Sequence, residues 1–322
     1  MNNLIDIAQH LPVSKAEQTI SISPVLIESS RRPHPLELRI TAPVKGENLP
    51  VVLFSHGDGP SLYLPSKDGY GPLVNFYAEH GFVVIQPTHA NSKVAGFDSN
   101  KSDAPLFWRE RVNEMKLILD ELENIESGIP ALKGRINHQN IAAVGHSMGG
   151  QTVGMLLGAH LTDSRRIKDR DVSTFEPRIK VGVLLAAPGK GGDSLSEFAR
   201  TNFTELNPDF RYLKTQALSV VGDADNNTFM SIKGPEWYTD PFKEAPGIDL
   251  LLTLHGAKHG LGGIAGYDAK ETSDESPDTL AATQRLTWAY LKSAFDSNDF
   301  TWEKARNQLA GPARSLGHIT DK

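Results

Sequence analysis

The chain has 322 residues, a formal net charge of −6 and no cysteine. The missing cysteines exclude disulfide frameworks, thiolate nucleophiles and cysteine-ligated zinc. The mild negative charge, with no basic stripe interleaved with aromatics, argues against a nucleic-acid partner. The segment Met1-Asn2-Asn3-Leu4-Ile5-Asp6 lacks a basic n-region and an apolar h-region. No apolar run approaches membrane-spanning length, so a cytoplasmic protein without a membrane span is expected.

Residues 1–35 read as an N-terminal extension or edge strands, with alternation at Ile20-Ser21-Ile22 and Val25-Leu26-Ile27. Residues 36–322 read as one α/β domain, a length ample for a sizeable core. Leu36-Glu37-Leu38-Arg39-Ile40 alternates as a half-exposed strand does. Continuous apolar runs, of the kind found in strands buried on both faces, follow at Leu49–Phe54, Gly81–Ile85, Ile141–Val144, Val181–Ala186, Ala217–Val221 and Leu250–Leu254. Helical patterns lie between them. Val112, Met115, Leu119 and Leu122 share one face, as do Trp288, Leu291 and Phe295, and Ser276-Pro277 supplies an N-cap with proline in the first turn. This alternation predicts a mostly parallel sheet covered on both sides, with loop insertions at 159–178, 190–212 and 226–247.

Gly145-His146-Ser147-Met148-Gly149 follows the run Ile141–Val144 and precedes a helical segment starting Gly150-Gln151-Thr152-Val153. Strand, tight turn and helix make the context of a nucleophile elbow, in which the serine hydroxyl is pushed out of the sheet. A serine needs a base, and the base an orienting acid. In this fold type they follow in the order Ser, Asp or Glu, His. The sixth of these strands ends Gly222-Asp223-Ala224-Asp225 and the seventh Leu254-His255-Gly256-Ala257-Lys258-His259, at the sheet edge where open α/β sheets gather their sites. Asp225 is favoured over Asp223, and His259 over His255, because each lies a few residues beyond its strand. His146 reads as support for the elbow. For the oxyanion, one donor is the backbone amide of Met148. The other is that of Asp58 in the loop Ser55-His56-Gly57-Asp58-Gly59-Pro60, with Gly57 as fallback. The Asp58 carboxylate must then turn away or be paired.

Other patterns carry less. Gly260-Leu261-Gly262-Gly263-Ile264-Ala265 lacks the following helix and acid of a dinucleotide site, and Pro188-Gly189-Lys190-Gly191-Gly192 has the wrong spacing for a P-loop. The 11 histidines show no metal-ligand spacing, so neither a cofactor nor a metal is expected. The mixed-charge run Asp163–Asp171 reads as a solvated segment. Tyr63, Tyr70, Phe107, Trp108, Phe229, Trp237 and Tyr238 are candidates for an apolar cleft, though half or more of them should simply pack.

Phe54-Ser55-His56-Gly57, Tyr77-Ala78-Glu79-His80-Gly81-Phe82-Val83-Val84 and Gly145-His146-Ser147-Met148-Gly149-Gly150 together resemble the α/β-hydrolase superfamily. Within it they resemble the platelet-activating-factor-acetylhydrolase-like and dienelactone-hydrolase-like branch of esterases. The resemblance spans roughly Leu36 to Phe295. It implies a serine carboxylic-ester hydrolase with Ser147, Asp225 and His259 as triad, an acyl-enzyme intermediate, no cofactor and a small-molecule ester as substrate. The cysteine nucleophile of dienelactone hydrolases has no counterpart here. A thioesterase, amidase or polyester hydrolase on the same fold is the alternative, and a non-catalytic binding protein a more remote one. Fold alone does not choose among them.

Overall fold

In a strand, successive side chains point to opposite faces, and the apolar runs of this chain use both. In the computed structural model, Val52, Phe54, Val84, Ala142 and Val144 join one buried cluster, while Val51, Leu53, Val83, Ile85, Ile141 and Ala143 join a second on the opposite face. The structure describes residues 4–98, 104–161, 173–267, 269 and 272–322.

The strands are β1 (Thr19–Ile27), β2 (Leu36–Pro43), β3 (Leu49–Ser55), β4 (Val83–Pro87), β5 (Ile136–His146), β6 (His160–Leu161), β7 (Ile179–Leu185), β8 (Pro208–Asp209), β9 (Ala217–Gly222), β10 (Leu250–Leu254) and β11 (Gly317–Asp321). Nine form one sheet in the order β1-β2-β4-β3-β5-β7-β9-β10-β11, and β6 pairs separately with β8. The central strands β4-β3-β5-β7-β9-β10 are all parallel. Antiparallel pairings add β2 and β1 at one edge and β11 at the other. The architecture is therefore a mostly parallel mixed sheet with helices on both faces.

The helices Gly71–Glu79 and Pro277–Phe295 contribute Leu73, Val74, Tyr77, Leu286 and Trp288 to the first cluster. Trp108–Asp120 contributes Val112, Met115 and Leu119 to the second. Leu122 belongs to the next helix, Leu122–Gly128, so that apolar face continues across a break at Glu121. Ser276 caps the long helix as its sequence predicts, its hydroxyl accepting from the Thr279 amide at 3.2 Å with Pro277 behind it. The loop insertions are partly structured. They hold the helix Glu197–Asn202 and the turns of 3-10 and α-helix at Gly234–Thr239 and Asp240–Glu244. The charged run 163–171 lies outside the described residues.

Register brings five strand ends to one edge of the sheet. Ser55 pairs with Gly145, His146 with Leu185, and Leu254 with Gly222. The candidate residues hang from those ends.

Candidate active site

Ser147 sits between β5 and the helix Met148–Leu156, with φ 54° and ψ −122°. That backbone region is hostile to a residue with a Cβ and costs on the order of 1–3 kcal/mol. The turn is tight enough that a Cβ on Gly145 would stand 2.1 Å from the Gly149 carbonyl oxygen, and one on Gly149 would stand 1.9 Å from that of Ser55. Only glycine fits at either place. The helix starts at Met148, two residues earlier than its periodicity predicts. The Met148 amide is therefore among the first-turn N–H groups that lack an intrahelical partner. Ser147 is partly exposed, although both its neighbours are buried.

His259 and Asp225 meet across their two loops. The His259 Nδ1–H donates to Asp225 Oδ2 at 2.8 Å, and the Asp225 side chain is only 3% exposed against 35% for the imidazole. Tyr238 also hydrogen bonds to Asp225, and its ring lies 5.5 Å from that of His259. Burial, followed by the Asp225 charge, pushes the Tyr238 phenol well above its ordinary range, so it serves as a donor. The rivals are placed elsewhere. Asp223 is exposed and accepts from the Gly256 amide at 2.7 Å, which is turn chemistry. His255 pairs with His318 of the edge strand at 3.0 Å. Asp274 holds the histidine loop at both ends, accepting from the amides of Lys258 (2.7 Å) and Gly262 (3.2 Å).

His146 connects the elbow to this loop. Its Nε2–H donates to the His259 carbonyl at 2.7 Å, and its Nδ1 accepts from the Tyr70 hydroxyl at 2.8 Å. Burial, then the neighbouring His259, pushes its pKa down to about 3, so it stays neutral and acts as a strut. The Tyr70 hydroxyl in turn accepts from the Gly57 amide at 3.0 Å. The Gly57 amide, the fallback oxyanion donor, is thus already engaged, which favours the Asp58 amide. The Asp58 carboxylate is paired, accepting from Asn91 Nδ2 at 3.0 Å.

A separate, buried Ser-His-acid chain starts at the end of β3. The Ser55 hydroxyl donates to His89 Nε2 at 2.9 Å, and the His89 Nδ1–H donates to Glu114 Oε2 at 2.7 Å. All three residues are buried, and Glu114 is ion-paired with Arg32. This chain has the bonding pattern of a triad but no access for a substrate. Exposure distinguishes Ser147 from Ser55.

The buried histidines predict acid sensitivity. Burial, aided by Arg111, holds His56 and His89 well below the ordinary histidine value, and His146 is similarly depressed. The unfolded chain binds protons at these sites near pH 6.5 while the fold refuses them, so their stabilisation is lost as pH falls from there. Glu114 opposes them, since burial pushes its carboxyl up to about 7. With His80 also lowered by burial, the histidines outnumber Glu114, so stability should fall from pH 7 to pH 5. Urea unfolding at the two pH values checks this, and equal midpoints would contradict it.

Of the aromatics expected to line a cleft, Tyr70, Trp108, Trp237 and Tyr238 are buried packing or hydrogen-bonding groups, while Tyr63 and Phe229 are exposed. Phe107 lines a cavity of about 710 Å³ beside the loop after β3, with Asp58, Pro60, Asn91, Phe97 and Pro105. Among the described residues no cluster of three or more metal-ligating side chains occurs, and no helix is long and apolar enough to cross a membrane.

Comparison with known proteins adds a family likeness. Chlorophyllase-1 of Arabidopsis thaliana is 26% identical over 185 residues, which make up 57% of this chain and 47% of that protein. The chain thus matches about half the length of this curated relative. Residues 13–163, which include the loop after β3 and the turn at Ser147 but end before Asp225 and His259, match the chlorophyllase family model.

Proposed function

We propose that this protein is a serine carboxylic-ester hydrolase of the α/β-hydrolase fold, working through an acyl-enzyme. The observation that carries the proposal is the 2.8 Å bond from His259 to the buried Asp225. It orients an imidazole on the loop that His146 ties to the elbow. The chlorophyllase likeness supports ester hydrolysis independently. It leads to the same chemistry as the resemblance to the platelet-activating-factor-acetylhydrolase-like and dienelactone-hydrolase-like esterases.

In the proposed cycle Ser147 Oγ attacks the ester carbonyl while His259 Nε2 takes its proton. The tetrahedral oxyanion is held by the amides of Met148 and Asp58. Protonated His259 then gives its proton to the departing alcohol, leaving an acyl ester on Ser147. Water, deprotonated by His259, attacks that ester, and collapse of the second intermediate releases the acid and restores Ser147. Asp225 keeps Nδ1 protonated, so that Nε2 faces the serine as acceptor, and it stabilises the imidazolium. Tyr238 and the depth of burial fix Asp225 itself.

A panel of nitrophenyl esters of increasing acyl length, with matched amides and thioesters and with chlorophyll, tests the reading. Turnover of esters well above amides and thioesters is expected. Faster turnover of the matched amide or thioester would reassign the reaction class.

A further inference from the structure

Arg111 is fully buried, yet four of its N–H groups are used, and they reach three separate parts of the site. Nε–H donates to the Thr152 hydroxyl at 2.9 Å, and that hydroxyl donates to the Met148 carbonyl at 3.1 Å. One terminal nitrogen donates to the His56 carbonyl at 2.5 Å and to Ser55 Oγ at 3.1 Å, at the root of the oxyanion loop. The other donates to Asn91 Oδ1, whose amide nitrogen holds Asp58. A planar fork with fixed donor directions suits this bridging, which a point-charge ammonium cannot reproduce.

Resting on the ester-hydrolase reading, we propose that Arg111 is the positioning residue that sets the Asp58 and Met148 amides relative to one another. It touches neither substrate nor reacting atoms. It joins the loop after β3 to the first turn of the elbow helix through Asn91 and His56 on one side and Thr152 on the other. An oxyanion hole acts only when both donors aim at one point, and a displacement of about 1 Å costs on the order of 10²-fold in rate. A buried guanidinium gripping both walls supplies that rigidity. Ser55, His89 and Glu114 are its base, with Arg32 closing the charge balance.

The test combines hydrogen–deuterium exchange read by mass spectrometry with ester kinetics, on the full chain. Asn91→Ala should speed exchange in residues 55–60 alone, and Thr152→Val in residues 147–153 alone. Arg111→Lys should speed both, and should lower kcat about 100-fold with KM within about twofold. If the buried Arg111→Lys variant fails to fold, the double variant Asn91→Ala/Thr152→Val carries the same prediction without touching the guanidinium. Unchanged exchange in both segments, or raised exchange with unchanged kcat, overturns the proposal. A wild-type protein that turns over no ester overturns instead the reading on which it rests, and the exchange pattern still decides whether Arg111 couples the two segments.

Discussion

Ser147→Ala should lower ester turnover by at least about 10⁴-fold while leaving the protein folded. The size of the loss follows from the role of the side chain. Without Oγ there is no acyl-enzyme, and His259 has no proton to take, so only binding and oxyanion stabilisation of a water attack are left. The fold should survive because alanine keeps the same Cβ at φ 54°, leaving the strain of the turn unchanged. Ser147 is also partly exposed, so no core contact is lost. Kinetics on the purified variant, with circular dichroism and thermal melting beside the wild type, make the comparison. A variant retaining more than a tenth of wild-type turnover would remove Ser147 from the mechanism.

Asp225→Asn should cost about 10³–10⁴-fold in kcat with little change in KM. The carboxylate accepts both the His259 Nδ1–H and a hydrogen bond from Tyr238. An asparagine offers one carbonyl oxygen and an amide that donates. Two donors then compete for one acceptor, and His259 is free to turn its protonated nitrogen towards Ser147. The geometry is kept while the tautomer is wrong, so the loss falls on the chemical step rather than on binding. Asp223→Asn is the natural comparison, because Asp223 only braces the Gly256 amide at the surface. Equal losses in the two variants would contradict the assignment of Asp225.

The parts of this site that were legible in the sequence are those dictated by local geometry. The elbow announces itself because Gly145 and Gly149 have no room for a side chain. The apolar runs announce the parallel strands because both faces of each are buried, as in the wholly buried β4 and β9. The choice of Asp225 and His259 over their rivals followed from distance beyond a strand end, and the structure joins the chosen pair.

What escaped has a different physics. The edge strand Gly317–Asp321 is mostly exposed and has no apolar rhythm to betray it, being held by backbone pairing with β10. Tyr238 reads as one more aromatic until it is seen against Asp225. Arg111 lies on an amphipathic helix, 41 residues from Thr152 and 55 from His56, and nothing in its neighbours marks it as buried. Its partners are set by the packing of the helix Trp108–Asp120 against the elbow helix, and a long-range contact of that kind leaves no local pattern. The Ser55-His89-Glu114 chain makes the converse point. Three residues with the right bonds are not a site when no substrate can reach them.

The central claim is that Ser147 is the nucleophile, and covalent capture by a fluorophosphonate tests it most directly. Intact-protein mass spectrometry followed by peptide mapping of the folded protein should find one phosphonyl group per chain, on Ser147. Loss of ester hydrolysis should track its formation, and Ser147→Ala should remain unlabelled. Stoichiometric labelling of another residue, or full ester hydrolysis by protein that takes up no label, would contradict the account.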